Sequence, residues 1–293
     1  MRIYGVDDRE TDEVLQPGML YIVATPIGNL RDISLRALRI LGDVDLIAAE
    51  DTRHTGLLLK AYGLKKPLIS CFAHNEEKQS HRILELLGEG KTVALVSDAG
   101  MPGIADPGAR LVRRVVKAGL KLTVIPGPSA GIAALAASGL ATEAFAFGGF
   151  IPRKSGEKKA WLARFGSFKG TLVFYESPAR LLETLGFLKE AWGDRYCCVA
   201  REMTKIFEEF IRGTLSEVAE VLAKSETIKG EIVVVMEGCP DEAQQSLPQE
   251  EAEELGRLLL AGGLHKKEAS RKLAQITGMP AKTCYAILAR LEQ

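Results

Sequence analysis

Three turn-rich segments stand out as places where backbone would meet a ligand: Thr25-Pro-Ile-Gly-Asn-Leu, Ser97-Asp-Ala-Gly-Met-Pro-Gly-Ile-Ala-Asp-Pro-Gly and Pro126-Gly-Pro-Ser-Ala-Gly. Gly100, Gly103, Gly127 and Gly131 allow amides and carbonyls to come close to a bound molecule, and the prolines stiffen the loops. Such walls suit a flat, largely neutral ligand such as an adenosine. One loop of this kind reads as an ordinary turn; three at the carboxyl edge of one sheet read as a binding edge. Charged candidates close other predicted strands: Glu50-Asp-Thr-Arg, Phe174-Tyr-Glu-Ser-Pro and Arg201-Glu-Met-Thr-Lys. Taken singly, each is as consistent with a helix cap or a solvated ion pair as with chemistry. Asp106-Pro-Gly reads equally as a helix start capped by Asp106.

Other chemistries lack their signatures. There is no G-x-x-x-x-G-K-[ST], G-x-G-x-x-G or H-E-x-x-H, which removes the main support for phosphate-loop, dinucleotide and zinc-hydrolase readings. His54, His74, His81 and His265 are scattered without ligand spacing, so no metal is expected.

The loops need a sheet to carry them. Short apolar runs at Leu20–Thr25, Asp45–Glu50, Pro67–Cys71, Thr92–Asp98 and Lys121–Pro126 alternate with amphipathic stretches at Ser34–Leu41, Glu76–Leu87 and Arg110–Ala118. That alternation predicts a mainly parallel sheet covered by helices, residues 17–128, after a polar leader, 1–16. A small-residue helix, Ser129–Ser138, opens a second α/β lobe, 129–238, with strands at Phe145–Phe150, Gly170–Tyr175, Tyr196–Arg201, Glu208–Gly213 and Glu231–Met236. The last three lie close together, which predicts a mixed sheet. A linker and a small C-terminal helical appendage complete the chain, 239–293.

With 38 basic and 38 acidic residues the net charge is zero, so a polyanionic partner has to be met by a local patch. Five cysteines without C-x-x-C spacing read as reduced core thiols, and no apolar run of signal or membrane length occurs. A cytoplasmic protein with no membrane partner is expected.

The motifs taken together resemble a known family. Tyr21-Ile-Val-Ala-Thr-Pro-Ile-Gly-Asn-Leu-Arg-Asp-Ile-Ser-Leu-Arg-Ala-Leu, Ala49-Glu-Asp-Thr-Arg, Val96-Ser-Asp-Ala-Gly-Met-Pro-Gly-Ile-Ala-Asp-Pro-Gly, Ile125-Pro-Gly-Pro-Ser-Ala and Phe174-Tyr-Glu-Ser-Pro, in that order from about Leu20 to Gly238, closely resemble the ribosomal RNA branch of the tetrapyrrole methylase superfamily. The resemblance implies two α/β lobes with S-adenosylmethionine folded between them. Its contacts would fall on Ile27, on Ala99, Gly100 and Met101 with Ile104, on Ser129 and Ala130, and on Glu176 and Met203. It further implies methyl transfer to the ribose 2′-hydroxyl of a cytidine in the decoding centre of 16S rRNA, by a homodimer, on naked RNA or an assembled small ribosomal subunit. Met101 departs from the pattern, standing where that branch more usually has a threonine.

A ribose hydroxyl is a poor nucleophile, so a nearby base is expected. Asp51, Asp98, Glu176, Glu202 and Lys205 are candidates at strand ends, and Asp98, Glu202 and Lys205 are put forward. RNA requires positive groups at the rim: Arg31, Arg36, Arg153, Lys154, Lys158 and Lys159. In the tail, Lys267-Glu-Ala-Ser-Arg-Lys-Leu-Ala-Gln-Ile-Thr-Gly resembles a helix-turn-helix. There Ala269, Leu273, Ile276 and Ile287 would pack inside, Gly278 would make the turn, and Lys266, Lys267, Arg271, Lys272 and Lys282 would meet phosphates. A three-helix packing or dimer element is the alternative. Two rival functions stand beside the leading one: methylation of a tetrapyrrole or corrinoid, and a helix-turn-helix regulator sensing an adenosyl ligand.

Overall fold

The computed structural model describes residues 15–224, 227–240, 249–277, 279 and 281–291. The chain divides into two compact units. One runs to Leu162 and takes in Thr171–Glu237; the other joins Ala163–Gly170 to Gly238–Gln293. Residues 163–170, which the sequence places inside the second lobe, therefore group with the helical appendage.

The first unit holds two sheets. Strands β1 (Met19–Val23), β2 (Leu46–Ala49), β3 (Leu68–Ser70), β4 (Val93–Val96) and β5 (Lys121–Ile125) form a sheet in the order β3-β2-β4-β1-β5. All its pairings are parallel. Its strands are apolar on both faces because both are covered. Tyr21, Val23, Ile47 and Val96 pack with Ala37, Ile40 and Leu41 of α1 (Leu35–Asp43) and Leu59 of α2 (Thr52–Ala61). Leu20, Ile22, Val93 and Leu95 pack with Ile83 and Leu87 of α3 (Glu76–Gly88) and Leu111 and Val115 of α4 (Ala109–Lys117). Spacing of three and four residues puts each helix's buried set on one stripe. Ser34 caps α1 by accepting the Ala37 N–H at 3.0 Å.

A residue outside α4 caps that helix. Its N-cap is Gly108, not Asp106 as the sequence suggested. The buried Glu76 carboxylate, from the start of α3, accepts the N–H groups of Gly108, Arg110 and Leu111 at 3.1, 2.8 and 3.1 Å. These are orphan donors of the first turn, and a carboxylate there also meets the positive end of the helix dipole.

α5 (Ala130–Ser138) leads into the second sheet, which is mixed: β6 (Phe145–Phe150), β7 (Thr171–Glu176), β10 (Ile232–Met236), β8 (Tyr196–Arg201) and β9 (Glu209–Thr214), in that order. β6 and β7 are parallel and the remaining pairs antiparallel. Ala134 and Leu135 of α5 bury against Val173, Cys198, Val233 and Val235. α6 (Ser155–Phe165), α7 (Leu181–Trp192) and α8 (Leu215–Ala223) complete the helices before the linker. The α8 start is a capping box: Glu217 N–H donates to Thr214 Oγ1, and Thr214 N–H to Glu217 Oε2. Burial pushes the Cys71 thiol up to about 11 and Cys197 up to about 12, so both are inert core residues.

The second unit contains α9 (Gln249–Ala261), α10 (Lys266–Thr277) and α11 (Ala281–Leu291) around Ala269, Leu273, Cys284 and Leu288. Ile287 is buried as expected from its spacing, but Ile276 is 53 % exposed. Ile276 lies three residues past Leu273, on the edge of the buried stripe, and Thr277 takes the inner place. Gly278 and the Lys282 side chain lie outside the described residues, as do the leader up to 14 and most of the linker. No helix among the described residues is long and apolar enough to cross a membrane.

Candidate active site

The loops after β1, β4 and β5 meet because these three strands are neighbours. Thr25 and Gly100 exchange both backbone hydrogen bonds, at 2.9 and 3.0 Å, and Thr25 Oγ1 donates to the Ser97 carbonyl at 3.1 Å. A Cβ on Gly127 would lie 2.9 Å from that of Ala24, so the third loop closes against the first only with glycine there. In the loop 97–108, Gly100, Gly103, Ala105 and Gly108 all have positive φ, which folds twelve residues into a compact ledge at the end of β4.

Beyond the ledge lies a cavity of about 300 Å³, a volume in the range of small-molecule sites. Ile27, Ala99, Gly100, Met101, Ile104, Ser129 and Ala130 line it from the first lobe and the start of α5, and Glu176 and Met203 from the second sheet. Every residue expected to touch a cofactor thus lines one cavity. Asp106, Phe150, Tyr175, Ser177, Pro178 and Gly230–Val233, none of them expected to touch a cofactor, complete it. Tyr175 stands edge-on to Phe147 and Phe150, with ring centroids 4.9 and 5.5 Å apart. Burial raises its hydroxyl above the ordinary phenol range, against the pull of the Gly131 N–H. The lining carries the carboxylates Asp106, Glu176 and Glu231 and, among the described residues, no lysine, arginine or histidine. Apolar walls with carboxylates and no cation fit a nucleoside that bears positive charge, as a sulfonium and an ammonium would supply.

The carboxylates differ in freedom. Glu176 is buried and accepts from Ser177 N–H, Thr184 Oγ1 and Arg180 Nη2 at 2.7, 2.7 and 3.3 Å, so it is a fixed part of the wall. Asp106 is held less tightly. Burial, then the nearby charge of Glu50, pushes its carboxyl up to about 6, with Asp98 adding to the rise and a hydrogen bond from Ser97 opposing it.

The three proposed bases do not line this cavity among the described residues. Asp98 Oδ1 accepts the Asp51 N–H at 3.1 Å, and the Glu50 carboxylate accepts the Asp98 N–H at 3.3 Å, which joins the ends of β2 and β4. Lys205 Nζ donates to Glu202 Oε1 at 2.9 Å and Glu231 Oε2 at 3.1 Å. Burial works to lower the Lys205 pKa, but those two hydrogen bonds outweigh it and hold the amine protonated. The same contact lowers Glu202. Both are held in ion pairs outside the cavity lining, which spacing alone had no means to show.

Of the proposed rim cations, Arg31, Arg36, Arg153, Lys154 and Lys159 are exposed. Lys154 pairs with Glu157 at 3.4 Å. Lys158 is engaged within the chain: its ammonium sits 3.7 Å over the Phe187 ring and 3.5 Å from Glu183. Lys267, Arg271 and Lys272 are exposed on α10.

Two α/β lobes lining one cavity define a tetrapyrrole-methylase type of methyltransferase, and residues 19–219 match the family model of Tetrapyrrole (Corrin/Porphyrin) Methylases. A ribosomal RNA small subunit methyltransferase I of Halalkalibacterium halodurans is 44 % identical over 92 % of this chain and 94 % of its own. That of Haemophilus influenzae is 45 % identical over 94 % of this chain and 98 % of its own. Uroporphyrin-III C-methyltransferase from Thermus thermophilus, complexed with S-adenyl homocysteine, shares the fold at a TM-score of 0.52 and 18 % identity, over 74 % of this chain and 96 % of that one. The chain belongs to the tetrapyrrole methylases and, within them, to the ribosomal RNA small subunit methyltransferase I family.

Proposed function

We propose that the protein transfers the methyl group of S-adenosylmethionine to the 2′-hydroxyl of a cytidine ribose in the decoding centre of 16S rRNA, acting on the small ribosomal subunit as a cytoplasmic homodimer. The observation that carries this reading is the single cavity lined by Ile27, Ala99, Gly100, Met101, Ile104, Ser129, Ala130, Glu176 and Met203, with carboxylates and no cation among the described lining residues. When bound, S-adenosylmethionine supplies a methyl carbon already activated by its sulfonium. The chain's work is then to hold two reactants about 3 Å apart and in line, to which the stitched loops contribute by fixing the backbone on the first-lobe side of the cavity.

Asp106 is our choice for the group that accepts the hydroxyl proton. It lines the cavity, and a carboxyl at about 6 is ionised at neutral pH yet basic enough to take a proton, an effect of roughly 10²–10⁴-fold. RNA phosphates would meet Arg31, Arg36, Arg153, Lys154 and Lys159, and Lys267, Arg271 and Lys272 on α10.

Incubation with labelled S-adenosylmethionine and, in parallel, small subunits, free rRNA and a porphyrinoid tests the proposal. Label is expected at one ribose of 16S rRNA from a strain lacking that modification. Label in the porphyrinoid alone, or none in rRNA, would overturn it.

A further inference from the structure

The loop from Glu202 to Glu208, between β8 and β9, is built more rigidly than its length requires. Glu202 and Thr204 both sit in the left-handed region, at φ 50 and 66, and for a β-branched threonine that is a strained conformation. The strain is held by many partners. Glu202 N–H donates to the Glu231 carbonyl at 3.0 Å, Lys205 N–H to the Glu202 carbonyl at 3.1 Å, and Thr204 N–H to Glu208 Oε2 at 2.6 Å. Lys205 ties the loop to Glu231, and a Cβ on Gly28 would come within 2.7 Å of Lys205 Cγ and 2.8 Å of Thr204 Oγ1, so the first lobe presses on it directly. Strain maintained in this way concentrates where a surface has to be presented in one shape.

The loop presents an apolar tip. Met203 turns inward and lines the cavity, while Ile206 and Phe207, a few residues on, are 94 % and 78 % exposed. From this geometry we infer that Phe207, flanked by Ile206, is a stacking platform for an unstacked RNA base at the mouth of the cleft. This rests on the ribose-methylation reading, because site-specific recognition of RNA works on single-stranded nucleotides whose bases splay out and stack on aromatic side chains. The carboxylates around the tip are engaged within the loop: Lys205 bridges Glu202 and Glu231, Arg201 pairs with Glu209 at 2.5 Å, and Glu208 accepts the Thr204 N–H.

Three measurements on Phe207→Ala and Phe207→Trp decide the matter. With small subunits as substrate, Phe207→Ala is expected to lower kcat/KM roughly ten- to hundred-fold, mostly through KM, and Phe207→Trp to restore it. The tryptophan at 207 is expected to be quenched on adding an RNA oligonucleotide of the target sequence. Affinity for S-adenosylhomocysteine, read by calorimetry, stays within about threefold, since the side chain lies outside the cavity. The inference is overturned if Phe207→Ala leaves kcat/KM unchanged, or if sedimentation shows that it splits an assembly of copies, which would make the tip a subunit contact. A wild-type protein that labels no rRNA sinks the activity reading instead, and the quenching measurement still decides whether position 207 meets RNA.

Discussion

Thr25 and Gly100, 75 residues apart in the chain, exchange paired backbone hydrogen bonds at 2.9 and 3.0 Å across the ends of β1 and β4. The pair fixes two cavity walls to each other without a side chain, and it requires φ 79 at Gly100, where an added Cβ would also stand 3.4 Å from Ile27. Gly100→Ala should therefore cost about 1–3 kcal/mol of stability. Its affinity for S-adenosylhomocysteine, read by calorimetry, should fall at least tenfold. A variant of normal affinity and melting temperature would show that the ledge does not depend on this conformation.

Glu76 is remote from the cleft opening yet sets the root of the ledge. Its carboxylate is the shared acceptor for Gly108, Arg110 and Leu111, and Gly108 ends the loop that lines the cavity. Glu76→Ala leaves three donors without that acceptor, and a loss of about 3 kcal/mol is expected by denaturant unfolding. Glu76→Gln, which retains one acceptor oxygen, should recover part of it.

The parallel first sheet, the mixed second sheet and the cavity-lining loops were legible because each depends on local pattern: runs apolar on both faces, glycine and proline at strand ends, and motifs in fixed order. The placement of α4 was not. Asp106 sits where a cap is expected, but the cap comes from Glu76, 30 residues earlier, and no local pattern announces a carboxylate supplied by another helix. The pairing of Glu202 and Lys205 was illegible for a related reason. They have the right types at the end of a strand, but only tertiary structure brings Glu231 beside them and turns a candidate base into a paired ion. Phe150 and Tyr175 were given no role at the cavity because aromatics in strands are ordinarily core, and here strand ends place them there.

Asp106 is expected to reveal itself by pH. Asp106→Asn should lower kcat by roughly 10²–10⁴-fold and remove an acid limb with a midpoint near 6 from the wild-type profile. The stability effect runs the other way. A carboxyl whose folded pKa is raised binds more protons folded than unfolded, so its ionisation destabilises the fold as pH rises from about 4 through about 6. The asparagine variant should thus melt at or above wild type at pH 8, with the difference vanishing as pH falls towards 4. A variant that is inactive and also melts lower at pH 8 would mark Asp106 as architectural.

Charge at the rim separates RNA contact from packing. Arg153 and Lys154 are exposed, and the Lys154–Glu157 pair is of the solvent-screened kind that contributes little to stability. Replacing both with alanine should reduce the slope of log affinity for RNA against log salt by about 1 to 2, with the melting temperature unchanged. Lys158 should behave in the opposite way. Its ammonium lies over Phe187 beside Glu183 with the side chain only 16 % exposed, so Lys158→Ala should cost about 1 kcal/mol of stability and leave the salt slope where it was. Equal effects of the two substitutions on the slope would mean that Lys158 leaves Phe187 when RNA arrives, and the packing role assigned to it would fall.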